Sequence, residues 1–424
     1  YKFSDSKWIE KRNNMIDKPL NIYEAHLGSW KTNEEDENGW YTYSEIADEL
    51  IEYVTKMGYN AIEFMPLSEY PCDESWGYQG TGFFSPTSRY GTAYELMELI
   101  DKCHNNNISV IMDFVPVHFA VDSYALANYD GTHLYEYPND AVGYSEWGSC
   151  NFMHSRGEVC SFLQSAADFW IEKFHFDGIR MDAISRIIYW QGEPARGVNK
   201  NAVDFLRHIN SGLKHRHSGI ILSAEDSTNF ADVTVPVQHN GLGFDYKWND
   251  GWKKELVPFI EMDPLFRKGI YGRLTYSMLY QYSDDFIIGF SRNGYGWKKG
   301  ILKDIVPDNG EDVLNHVKTA LGYMYFHPGK KLINIKECSG VEKFVAQMNN
   351  LYRNTKALYE CDDNPSGFEW ADDISAEETV IAVLRRDESG QSVIGAVNFT
   401  PVERKEFCIG VDEAGKYTDV LNGS

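Results

Sequence analysis

A (β/α)8 barrel spanning residues 1–354, followed by a small all-β domain, is the fold this sequence predicts, and three observations predict it. Short apolar segments alternate with longer segments of helical periodicity, eight such segments occur, and polar residues gather where they end. Parallel strands buried on both faces read as near-continuous apolar runs and need helical crossovers. Eight such units suit a barrel that carries its site at the C-terminal ends of the strands. At 424 residues the chain exceeds a single core, so a second domain is expected.

The predicted strands are Asn21–Leu27, Ala61–Leu67, Ser109–Val115, Gly178–Ile184, Gly219–Glu225, Phe244–Trp248, Phe286–Ser291 and Lys331–Ile335. Helical patterns lie between them at Tyr43–Lys56, Ala93–Asn106, Glu158–Phe174 and Asn201–His217. In the first of these, Ile46, Leu50, Ile51 and Val54 recur at helical spacing. About 40 residues rich in Tyr, Asn, Asp and Gly follow the third strand, and a loop of that length is usually functional. After Asn354 the texture turns β-like, at Thr379–Leu384 and Ser392–Asn398, with a turn at Glu388-Ser389-Gly390. Residues 355–424 are therefore expected to form a β-sandwich-type domain, complete or not at Ser424.

Composition narrows the function classes. A formal charge of −23 argues against nucleic acid or an anionic membrane surface as partner. No apolar run approaches the roughly 18 residues of a spanning helix, and the first residues lack a signal-peptide core. Seven scattered cysteines without a C-x-x-C pair fit neither a disulfide framework nor a zinc site, and read as reduced thiols in the cytoplasm. Aromatic residues reach 14%, with 11 Trp and 27 Tyr. Their rings pack cores first, and their faces also stack on sugar rings.

Several strands end in residues that a hydrophobic strand does not need. The fourth runs Phe176-Asp-Gly-Ile-Arg180-Met-Asp182, so Arg180 and Asp182 alternate with apolar neighbours and face one side. A core salt bridge is the bland account of this pair. The fifth strand ends at Glu225, a second carboxylate at a neighbouring strand end. Two such carboxyls about 5 Å apart suit a double displacement at a sugar's anomeric carbon. Asp182, beside Arg180, is expected to stay ionised and attack. Glu225, its pKa raised, is expected to protonate the leaving oxygen. Asp226 should face the other way. The third strand ends at Asp113 and His118, and the loop after the second holds Trp76 and Tyr78, of which Tyr78 is placed to stack on a sugar.

Taken together, these segments resemble the glycogen (1,4-α-glucan) branching enzymes of the α-amylase superfamily. The resemblance rests on Tyr23–Trp30, Trp76–Gln79, Pro86–Thr92, Asp113–His118, Phe176–Asp182, Ala224–Thr228, Gly241–Asn249 and His327–Lys331, in the family's order along nearly the whole chain. It implies Asp182 as nucleophile and Glu225 as acid/base, with Tyr78, Asp113, His118 and Arg180 lining the subsite of the cleaved glucose. It implies an α-1,4-glucan substrate (glycogen, amylose or a maltooligosaccharide), no cofactor, and a further all-β carbohydrate-binding domain before residue 1.

Three departures qualify the resemblance. Where the family's seventh strand ends in Ser-His-Asp-Glu, this one reads Ser291-Arg292-Asn293-Gly294, replacing a third carboxylate by Asn293 and a sugar-binding histidine by Arg292. The Gly-Ser-Glu-Phe-Gly-Gln type of loop expected after the eighth strand is missing. Val117 stands where many α-amylases place a calcium-ligand Asn, so no metal is implied. Asn293 offers a dipole where a cationic transition state gains from a charge, and losing one such group costs about 10²–10³ in rate. Asp304 or Asp308 is a candidate surrogate. Three readings stay open: a branching transferase of reduced activity, a non-catalytic α-glucan-binding protein, and an α-glucan hydrolase.

Overall fold

The computed structural model describes residues 1–12, 18–291, 313–334, 340–371, 376–411 and 414–421. Arg292, Asn293, Asp304, Asp308 and most of the loop after the eighth strand lie outside the described residues. Eight parallel strands close in sequential order into a barrel: β1 (Asn21–Ala25), β2 (Ala61–Phe64), β3 (Ser109–Phe114), β4 (Gly178–Met181), β5 (Ile221–Ala224), β6 (Tyr246–Trp248), β7 (Phe286–Phe290) and β8 (Lys330–Ile333). All eight expected strands are present, and the ladder stops one to three residues short of most expected ends. The apolar pattern outlasts the pairing because the chain leaves the barrel wall there, and the residues it releases are those with chemistry.

The helices follow their sequence signals. The helix Tyr43–Met57 buries Ile46, Leu50 and Val54, the expected stripe. Thr92 and Glu95 form a reciprocal capping box that starts the helix Ala93–Asn105. Asn199 caps the helix Lys200–Arg216 by accepting from the Ala202 amide.

The chain forms two compact units. One comprises Tyr1–Ile16, Ile22–Thr55 and Tyr59–Trp248; the other comprises Asp17–Asn21, Lys56–Gly58 and Asn249–Ser424. The change of texture after Asn354 matches the end of the helix Glu342–Asn354, whereas the second unit begins further upstream and includes β7 and β8. Its C-terminal part is a three-stranded antiparallel sheet, β9 (Phe368–Trp370), β10 (Val380–Arg386) and β11 (Ser392–Asn398), in the order of the chain. Gly390, at φ +85°, makes the expected turn between β10 and β11. Among the described residues this sheet is a single layer, without the second sheet of a sandwich. Of the residues that follow, 400–411 and 414–421 are mostly exposed.

Candidate active site

Register sets the site. Within the first unit, Asp113 on β3 lies opposite Arg180 on β4, and Arg180 lies opposite Ser223 on β5. Side chains two apart on a strand share a face, so Asp182 and Glu225 continue the same rows past the last ladder residues. Backbone bonds extend the wall to hold them: the Asp182 amide donates to the Phe114 carbonyl, and the Glu225 amide to the Met181 carbonyl. Ala183, next to Asp182, then turns into the left-handed region at φ +47°, a conformation costly for a residue with a Cβ. That turn aims the Ala183 amide at Glu225 Oε2, 3.3 Å away.

Arg180 is fully buried and organises three carboxylates. Its Nη1 donates to Asp113 Oδ2 at 2.5 Å and to Asp182 Oδ1 at 2.8 Å, and its Nη2 donates to Glu225 Oε2 at 2.5 Å. The guanidinium lies 4.2 Å from the centre of the Trp248 indole on β6, a cation–π contact. Tyr78 donates its hydroxyl to Asp113 Oδ2 at 2.6 Å. Tyr78, Asp113, Arg180, Asp182 and Glu225 thus form one network.

Three carboxylates around one guanidinium leave an excess of negative charge in a buried place. Burial, with Glu225 close by and against the pull of Arg180, pushes the Asp113 carboxyl up to about 6. Asp182 is raised well above the usual carboxylate range, first by burial and then by Glu225 and Asp113, although Arg180 opposes the shift. Arg180 is therefore not reserved for Asp182, as the alternation along β4 had led one to expect, and does not by itself keep that group ionised. A side-chain hydrogen bond joins Asp182 to Glu225. Both carboxyls are held by the one guanidinium, Asp182 on Nη1 and Glu225 on Nη2, side by side past the strand ends.

His118 is buried and bonded outside this network, its Nδ1 lying 2.9 Å from Ser149 Oγ. Burial pulls its pKa down to about 4, so it is a neutral imidazole at physiological pH. Trp76, half-buried and at φ +53°, stacks on His26 with 5.1 Å between ring centres. Asp226 faces away as expected and pairs with Lys247 at 2.9 Å.

Sequence reasoning missed Glu63, which lies opposite Glu24 on β1 and is fully buried with its Oε2 lacking a hydrogen-bond partner among the described residues. Burial raises its pKa well above the usual range, with Arg180 opposing and Asp113 adding. Its signal was a lone carboxylate inside the apolar run Ala61-Ile62-Glu63-Phe64. Trp248 and Ser149 were missed as well, and nothing local in the sequence marks either as a neighbour of the site.

A closed barrel with an acidic cluster past the strand ends is the arrangement of a barrel enzyme, and comparison with known proteins gives its class as that of the α-amylases. Residues 29–133 match the model of the alpha amylase catalytic domain, and residues 370–424 that of the alpha amylase C-terminal all-beta domain. The α-amylase of Geobacillus thermoleovorans, solved with acarbose, superimposes with a TM-score of 0.71 at 15% identity, over 91% of this chain and 87% of that one. A protein of Fusobacterium nucleatum named 1,4-alpha-glucan branching enzyme GlgB is 40% identical over 450 residues, covering 100% of this chain and 73% of the relative. One of the same name from Aquifex aeolicus is 38% identical over 457 residues, covering 100% and 72%. The chain belongs to the 1,4-α-glucan branching enzyme family.

Proposed function

We propose that this protein cleaves an α-1,4 linkage of a glucan through a covalent glycosyl-Asp182 intermediate and transfers the freed segment to a glucan 6-hydroxyl. The observation that carries the reading is that one buried guanidinium, Arg180, holds both Asp182 and Glu225 past the strand ends. A cluster with surplus negative charge retains a proton, and the double displacement requires that proton on Glu225 while Asp182 attacks. In the first step the Asp182 carboxylate bonds to the anomeric carbon, and Glu225 protonates the departing glycosidic oxygen. In the second, Glu225 takes the proton of the incoming 6-hydroxyl as its oxygen displaces Asp182.

Asp113, Tyr78, His118 and Arg180 are the groups we assign to the cleaved glucose, with Trp76 further out. Neutral His118 suits a hydroxyl-rich, uncharged ligand. No cofactor or metal enters this reading, and the place of action is the cytoplasm, where scattered cysteines stay reduced.

A second reading draws on one observation, the Arg292-Asn293 pair in place of His-Asp. Without that carboxylate, turnover is expected to fall by about 10²–10³ relative to a chain that has it. In the limit the protein holds glucan without converting it, or passes the segment to water. Incubation with amylose, following iodine staining and reducing ends together, separates these outcomes. Branching lowers the stain with few new ends, hydrolysis raises the ends, and a binding protein changes neither.

A further inference from the structure

Trp147 keeps 43% of its surface exposed although it belongs to a loop that touches the site. Its indole sits 5.0 Å, centre to centre, from the imidazole of His118. The turn that presents it is tightly built. Tyr144 bridges Cys150, and the Gly148 amide donates to the Ser145 carbonyl. The Trp147 amide donates to Ser145 Oγ, which lies 2.6 Å from Ser149 Oγ, which in turn lies 2.9 Å from His118 Nδ1. From a second loop, Gln79 Nε2 donates to the Trp147 carbonyl. From a third, just past Asp182, the Arg186 guanidinium approaches the indole to 5.3 Å and is matched by Glu146 at 2.7 Å.

Three site-bearing loops therefore converge on one exposed ring. An indole held in one orientation loses little freedom on binding, and its apolar face suits the C–H face of a pyranose. The surrounding amide and matched ion pair supply hydrogen-bonding groups for hydroxyls. Because Glu146 neutralises Arg186, that pair offers no uncompensated cation to an anionic ligand, which favours a neutral sugar.

We propose that Trp147 is a sugar-stacking platform at the rim of the site, holding a glucose unit of the α-glucan chain next to the unit at His118. This inference rests on the α-glucan reading of the site. It assigns Trp147 to substrate holding, so its loss acts mainly through KM. A ring that served only to pack His118 would act mainly through kcat.

The test is binding of maltoheptaose by calorimetry in a Glu225→Gln background, which removes turnover, with kcat and KM on amylose measured in the parent background. Trp147→Leu is expected to weaken binding about tenfold, while Trp147→Phe retains most of it. A second measurement needs no variant: oxidation of the unaltered chain by N-bromosuccinimide, mapped by peptide mass spectrometry. Saturating maltoheptaose is expected to protect Trp147 several-fold. Equal binding by Trp147→Leu, or equal oxidation of Trp147 with the sugar bound, overturns the platform while the α-glucan reading stands. A chain that binds no maltoheptaose overturns both.

Discussion

The first unit carries two buried charge networks, one past the C-terminal ends of the strands and one at their N-terminal ends, and they are built on opposite plans. At the N-terminal end, Asp177 accepts from the Trp8 indole at 2.9 Å, from the Val110 amide at 2.8 Å and from His104 at 3.0 Å. His104 also reaches Asp5 at 2.7 Å, and His175 reaches the same Asp5 oxygen at 2.8 Å. Arg12 stands 3.9 Å from Asp177. Two carboxylates thus meet one arginine and two histidines. Burial pulls His104 down, yet Asp177 and Asp5 outweigh it and raise its pKa to about 9. Burial pushes Asp5 up, and hydrogen bonds from His104 and His175 bring it out below its ordinary value.

At the other end three carboxylates share one guanidinium, and Asp113 Oδ1, Arg180 Nε and Glu63 Oε2 are buried without partners among the described residues. The balanced network ties Tyr1–Arg12 to the barrel and stabilises the native state. The unbalanced one raises carboxyl pKa values and sets a left-handed alanine beside them, features that oppose stability and serve chemistry. Charge balance separates a structural cluster from a reactive one within the same barrel.

The largest effect expected from breaking this contrast is that of Arg180→Met. It leaves Asp113, Asp182 and Glu225 without their shared cation, and should lower stability in urea unfolding by about 3–5 kcal/mol while abolishing turnover. A variant as stable as the parent would show that the mouth does not depend on Arg180.

Next comes the N-terminal cluster. A group whose folded pKa is raised contributes stability that is complete below its unfolded value and is lost as pH rises through the folded value. For His104 that window runs from about 6.5 to about 9, and the loss is on the order of 3 kcal/mol. Unfolding free energy measured across it should fall in the parent, and His104→Phe should flatten the curve at a lower stability.

Asp113 sharpens the comparison in a different window. Its folded pKa of about 6 lies above the ordinary 3.8, so the native state holds a proton that the unfolded chain releases. Stability should therefore fall as pH rises from about 4 to about 6, by roughly 1–3 kcal/mol, and Asp113→Asn should remove that slope. A slope of the opposite sign would mean that Arg180 dominates burial there.

The smallest effect concerns Arg292 and Asn293. Restoring the family's pair by Arg292→His with Asn293→Asp should raise kcat at least about tenfold, because the returned charge acts more on the transition state than on the ground state. A flat response with glucan binding intact would place the loss elsewhere.

Much of this was legible in the sequence, because strand and helix signals are local. Eight apolar runs gave eight strands, and the alternation of Arg180 with Asp182 placed them on one face. Sharing of Arg180 with Asp113 and Glu225 was not legible, since it depends on register between strands that are 67 and 45 residues away in sequence. The N-terminal cluster escaped for the same reason: Asp5 and His104 are 99 residues apart, and each alone looks like an ordinary surface group. Trp147 lay in a loop recognised for its length, but no local pattern tied that indole to His118.

The account rests on Asp182 as the group that takes the glycosyl unit, and trapping that species tests it most directly. In Glu225→Gln, an α-maltosyl fluoride needs no acid to expel its leaving group, while the second step lacks its base. Bond formation between Asp182 and the anomeric carbon with loss of fluoride should then leave a stable maltosyl adduct, which intact-protein and peptide mass spectrometry would locate on Asp182. A protein that still binds maltoheptaose but gains no adduct, or gains it on Asp113, would contradict the double displacement assigned to this barrel.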